Sequence, residues 1–202
     1  VYDKLNTAND YNAPTGYLVL KGYNPNMIYH VQQFEQTPSI IYRYAEVLLN
    51  YAEAKAELGT LTQADVDKTI KKFRDRVGMP NLNLASITPD PAWDFPTLSP
   101  MINEIRRERR VELALEGFRF SDIMRWAAAD ELIAGKRPKG MLASQITTNK
   151  YGVDENGFLD PFKTIAPKGY GFVLGRDYLN SIPQSEIVIN PALTQNPGWP
   201  AN

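Results

Sequence analysis

The densest chemistry in this chain lies in residues 104–116, EIRRERRVELALE, where Arg106, Arg107, Arg109 and Arg110 interleave with Glu104, Glu108, Glu112 and Glu116. Clustered guanidinium groups bind phosphates and carboxylates. Clustered carboxylates do general acid and base work when one of them carries a proton. Here the local charge sums to zero, and Glu at helical i+4 spacing beside Arg favours pairing within the protein. The whole chain repeats the balance, with 22 Lys+Arg against 23 Asp+Glu, so it has no broad positive field for a phosphate backbone and no nucleic-acid partner is expected. Within the segment, Ile102 and Ile105 are followed at helical spacing by Arg109 and then Leu113. A guanidinium in an aliphatic position should be buried, and a buried charge persists only when paired and hydrogen-bonded. Glu53 or Glu46 and Asp122 are its candidate partners. The expected structural ion network comprises Arg43, Glu46, Glu53, Arg109, Glu112, Glu116, Arg119 and Asp122, tying three helices together. Carboxylates beside arginines stay ionised, so no catalytic residue is nominated and the chain is not expected to be an enzyme.

Four helices must position these groups. Residues 40–58 carry Ile41, Tyr44, Ala45, Leu48, Ala52 and Ala56 on one stripe, with Gly59 at the capping position. Thr62 and Asp65 stand in capping-box spacing, and Val66, Ile70, Phe73 and Val77 continue a second helix until Gly78 and Pro80. The short connection makes the pair an antiparallel hairpin of tetratricopeptide type. A third helix begins at Ser99-Pro100 and runs to Glu116, before Gly117, and a fourth covers 120–128. Brief strands are expected at Tyr17–Lys21 and Gly171–Leu174. The fold class is mainly α with few short strands. A loop-rich segment 1–39, the hairpin 40–78, a charged helix pair 99–128 and a loop-rich segment 129–202 follow one another. Irregular tracts that long are unusual in an independent domain, so the expectation is a piece of a longer chain.

With no Cys and one His, disulfides, thiolate metal sites, Cys nucleophiles and His-pair metal motifs are all excluded, and neither metal nor cofactor is expected. His30 and Trp126 read as packing residues. No apolar run approaches a membrane span, and the N-terminal residues do not form an export signal.

Three motifs then carry a resemblance. Arg43-Tyr44-Ala45-Glu46 with Tyr51-Ala52-Glu53-Ala54, inside Pro38–Leu58, resembles the RYAE...YAEA helix of the SusD/RagB family. Glu108–Leu113 followed by Glu116-Gly117-Phe118-Arg119-Phe120 and Asp122–Trp126 is similar to its ERRVEL...EG-x-RF-x-D-x-x-RW block, although Phe118 stands where His is frequent. Ile182-Pro183, Glu186, Asn190-Pro191 and Gln195–Trp199 resemble its terminal signature, with Ser181 in place of a frequent proline. The resemblance implies a SusD-like fold and the C-terminal portion of an outer-membrane nutrient-binding lipoprotein. Such a protein sits at the cell surface of a Gram-negative bacterium, held by a lipid anchor outside this chain. It captures oligosaccharide or polysaccharide for a SusC-like TonB-dependent transporter. The alternatives are a docking scaffold for that transporter, with ligand contacts elsewhere, or a helical glycoside hydrolase, for which the sequence nominates no spaced carboxylate pair.

An uncharged oligosaccharide needs flat rings with amide, carboxylate or guanidinium groups at their edges. Tyr11, Tyr17, Tyr23, Tyr29, Trp93, Phe95, Tyr151, Tyr170 and Tyr178 all fall outside the expected helices. Two clusters combine rings with polar groups: Lys21–Asn26, upstream of the first helix where the family often contacts sugar, and Trp93-Asp94-Phe95, held between Pro91 and Pro96. The candidate ligand-binding residues are Tyr23, Asn24, Tyr29, Trp93 and Asp94.

Overall fold

The computed structural model describes residues 7–8, 13–30, 33, 40–146 and 148–200, with backbone alone at Thr7, Ala8, Met27, His30, Thr148 and Asn149. Tyr11, the His30 side chain and the first two residues of the Pro38–Leu58 motif therefore lie outside the described residues. The chain divides into two compact units, Gly22–Asp122 and, together, Val1–Lys21 with Ile123–Asn202.

The first unit is built on α1 (Tyr44–Glu57), whose alanines, leucines and glutamates are strong helix formers. It starts later than its apolar pattern predicts, because Arg43 is extended (φ −142°, ψ 156°) and its guanidinium is bound to Glu112 and Glu116. The buried stripe is Ala45, Leu48, Leu49, Ala52, Glu53 and Ala56. Ile41 and Tyr44, expected on it, are 77% and 63% exposed. The stripe is centred on Leu49 and Ala52, both 0% exposed, which turns the face away from those two positions. Full burial of Leu49 contributes roughly 2 kcal/mol.

Gly59 (φ +67°) ends α1 as expected, in the left-handed region that costs glycine nothing. The Thr62/Asp65 capping box is present. The second expected helix is broken into α2 (Gln63–Lys68) and α3 (Ile70–Arg76). Buried Thr69 causes the break: its hydroxyl donates to the Asp65 carbonyl at 2.7 Å and its backbone (φ −118°, ψ −87°) leaves the helical region. Val77, expected on the core stripe, is 60% exposed. In the third helix, α4 (Pro100–Glu112), Ser99 caps the start and accepts from the Ile102 amide at 3.3 Å. This helix ends before Glu116, since Leu113 turns inward to 4% exposure and Leu115 takes φ +65°. The core gathers Leu49, Ala52, Val66, Ile70, Ile102, Ile105 and Leu113 from these helices.

The fourth expected helix is α5 (Phe118–Arg125), which stops at Ala127 (φ +51°). In the second unit it is followed by α6 (Ala129–Leu132) and, much later, α7 (Gln184–Ile189). The strands form elsewhere than expected: β1 (Thr7–Ala8) pairs in parallel with β2 (Thr148–Asn149). Tyr17–Leu20 find no ladder partner among the described residues and are 53–65% exposed. Near Gly171–Leu174, among the described residues, a single bridge joins Ala134 to Tyr170. Loops of this unit are fastened by polar clasps. Buried Asp160 accepts from Arg137 Nε at 2.7 Å and Lys139 Nζ at 2.6 Å. Gln195 exchanges hydrogen bonds with the Ile182 backbone, and the Trp199 indole donates to the Leu179 carbonyl at 2.8 Å. Gly169 is required where it stands, because a Cβ there would meet the Gly135 carbonyl at 2.3 Å.

Candidate functional site

The charged residues of α4 fan out to different elements. Arg109 is 5% exposed. Its Nε donates to Asp122 Oδ2 at 2.7 Å and lies 3.8 Å from Glu53 Oε2, and its Nη1 donates to Asn50 at 2.7 Å. Arg43 forks onto Glu116 at 2.7 Å and donates to Glu112 at 2.6 Å. Those bonds, Glu116's foremost, raise the Arg43 guanidinium above its ordinary value. Glu46 makes no ion pair with the network among the described residues, since it stands about two turns before Glu53 on α1. Arg119 lies 3.6 Å from Asp94 and within electrostatic reach of Asp122, and burial lowers its pKa.

The remaining arginines of α4 face the loop that precedes it. Asn103, 3% exposed, shapes this loop: its amide accepts from the Phe95 N–H at 3.2 Å and donates to the carbonyls of Phe95, Leu98 and Ser99 at 2.7, 3.2 and 3.2 Å. Phe95 is thereby pinned in the interior, with the Arg106 guanidinium 4.6 Å from its ring centroid. Trp93 Nε1 donates to Glu104 Oε1 at 3.1 Å. Arg107 bridges Glu104 at 3.2 Å and Asp90 at 2.7 Å, while Arg110 holds Asp94 at 2.6 Å. Behind them Arg74 joins Glu108 and Glu104, and burial pushes the Glu108 carboxyl above its ordinary value.

Between loop and helix lies a cleft of about 280 Å³ lined by Asp90, Trp93, Asp94, Phe95, Arg107 and Arg110, with Ala92 and Asn103. Its chemistry is a half-buried indole bordered by two carboxylate–guanidinium pairs. Of the five expected ligand residues, Trp93 and Asp94 line it. Tyr23, Asn24 and Tyr29 do not line it: Asn24 accepts from the Asn26 amide at 3.0 Å in a turn where Tyr23 is 45% exposed, and Tyr29 follows in a 3-10 helix, Met27–His30. Asp90, Asn103, Arg107 and Arg110 were not expected at a ligand site. For the two arginines the signal was their i+3 repeat on the side of α4 away from its apolar stripe. Among the described residues, no group of carboxylates and His is placed to hold a metal, and no helix is long and apolar enough to cross a membrane.

Comparison with known proteins places this architecture. The sequence profile of the SusD family matches residues 2–199. The chain belongs to the SusD family. Its mainly α fold is similar to the solved structure of BT4246, at 31% identity and a TM-score of 0.57 over 81% of this chain and 24% of that one. A SusD-like protein (BF3747) from Bacteroides fragilis is similar at 29% identity and a TM-score of 0.53, over 79% of this chain and 26% of that one. SusD-like protein P38 of Formosa agariphila is 33% identical over 99 residues, 49% of this chain and 19% of its own length. The chain thus spans about a fifth to a quarter of the length of these relatives.

Proposed function

We propose that this chain takes part in capturing oligosaccharide or polysaccharide at the surface of a Gram-negative outer membrane, without catalysis. The glycan would be handed to a SusC-like TonB-dependent transporter, with a lipid anchor outside this chain holding the protein to the membrane. Family membership supports the general reading. The observation that carries it at the level of residues is Trp93, fixed by a hydrogen bond from its indole to Glu104 and lining a cleft edged by Asp90, Asp94, Arg107 and Arg110. An apolar ring beside paired donors and acceptors suits a sugar, which has C–H faces and a rim of hydroxyls. Tyr23, Asn24 and Tyr29 supply a second, separate contact region in this reading.

Isothermal titration of the full-length protein against a panel of oligosaccharides tests it. Trp93→Ala should weaken binding by about tenfold or more, the effect of losing an anchoring ring. Unchanged affinity would remove the cleft from the site. Incubation with polysaccharide should release no reducing ends. A docking role has its own support in Ile40, Ile41, Tyr42, Tyr44 and Val47, large apolar side chains that are 59–83% exposed. Replacing Tyr42 and Val47 by Ser should then abolish co-purification of the transporter while sparing sugar affinity.

A further inference from the structure

Resting on the cleft assigned above, we propose that Asp90 and Asp94 restrict it to uncharged sugar units, with Asp94 the residue that decides against acidic ones. The charged groups lining the cleft are Asp90, Asp94, Arg107 and Arg110, two of each sign. Each guanidinium is already engaged: Arg107 Nη2 lies 2.7 Å from Asp90 Oδ2 and Arg110 Nη1 lies 2.6 Å from Asp94 Oδ2. Asp94 also has Arg119 Nη2 at 3.6 Å, so one carboxylate serves two cations. A uronate or sulfate entering the cleft must displace an aspartate from its arginine or lie beside it, and like charges at such range repel strongly in a part-buried site.

An uncharged pyranose meets no such barrier. Each carboxylate–guanidinium pair presents an acceptor and a donor side by side, which matches neighbouring hydroxyls that each donate and accept. Arg107 and Arg110 stand three residues apart on one face of α4, so two such pairs border the Trp93 ring. The result is an apolar floor with two diol-sized edges and no net charge.

The test uses full-length protein and six probes: hexasaccharides of β-1,3-glucan, α-1,4-glucan, β-1,4-mannan and β-1,4-xylan, an oligogalacturonate hexamer and a carrageenan hexamer. At least one uncharged probe should bind, lose about tenfold or more in Trp93→Ala, and keep its affinity between 0.1 and 0.5 M NaCl. Neither acidic probe should bind wild type in a Trp93-dependent way. Asp94→Asn, which keeps the side-chain shape and removes the charge, should raise affinity for an acidic probe about tenfold, a gain that high salt removes. Wild-type binding of an acidic probe as tight as that of any uncharged one, and lost in Trp93→Ala, would overturn the exclusion while leaving the cleft as the site. Absence of any Trp93-dependent binding would overturn both. If Asp94→Asn fails to fold, the wild-type contrast between probes decides.

Discussion

Arg109 shows how one side chain ties a helical unit together. At 5% exposure, with Asp122 at 2.7 Å, Asn50 at 2.7 Å and Glu53 at 3.8 Å, it joins α1, α4 and α5 through a charge largely withdrawn from water. Asp122 is its closest carboxylate, and removing that partner leaves the buried charge under-compensated, so Asp122→Ala should cost about 3 kcal/mol in urea denaturation. A loss under about 1 kcal/mol would mean that the guanidinium escapes to water. The sequence announced Arg109 because it interrupts an apolar stripe at helical spacing. It did not announce Asp90, an isolated acid in a proline-rich loop with no periodic neighbours to give it a direction. Glu46 was misplaced for a related reason. Seven residues apart, Glu46 and Glu53 lie within about 20° of one face of α1 but about 10 Å apart along its axis, and Arg109 sits beside the turn that carries Glu53.

At the scale of elements, the helices were readable and their ends less so. The capping box Thr62–Asp65 and the Ser99-Pro100 start follow from local chemistry that spacing encodes, and both are present. Thr62→Ala should cost about 1 kcal/mol of stability, read by thermal or chemical melting, because it removes the acceptor for the Asp65 amide. The break at Thr69 and the early end of α4 depend on how Thr69 and Leu113 pack, which periodicity does not specify. The expected strands failed because pairing needs a distant partner at the right register, and neither Tyr17–Lys21 nor Gly171–Leu174 finds one among the described residues. The loop before α4 is a different case: its shape rests on four hydrogen bonds to the side chain of Asn103. Asn103→Ala should therefore lower glycan affinity severalfold while α4 keeps its helicity by circular dichroism. Full affinity in that variant would mean that the loop holds its form without the clamp.

Across the whole molecule, aspartates dominate the response to acid. Asp65, through hydrogen bonds from Thr62, and Asp160, through those from Arg137, are held well below the ordinary carboxylate range. Asp67, Asp154 and Asp177 are also lowered. A carboxyl with a lowered folded-state pKa contributes stability above its unfolded value, and loses it as pH falls toward the folded one. Glu108, raised by burial, and Glu131, raised by its hydrogen bond with Asp130, work the other way, since acidification relieves them. With more of the described carboxyls lowered than raised, the melting temperature should fall between about pH 5 and pH 2. A flat profile would contradict these assignments. Family and fold class were legible because three motifs lie in order along the chain, and the family profile covers residues 2–199. The cleft was half legible: Trp93 and Asp94 were flagged as a stiff aromatic loop, but the arginines opposite them read only as members of an internal charge balance. Hydrogen–deuterium exchange of the full-length protein, with and without its tightest-binding hexasaccharide, asks directly where sugar sits. Slowed exchange at residues 90–98 and along the Asn103–Arg110 face is the expected result, and protection confined to other segments would contradict a binding cleft between this loop and α4.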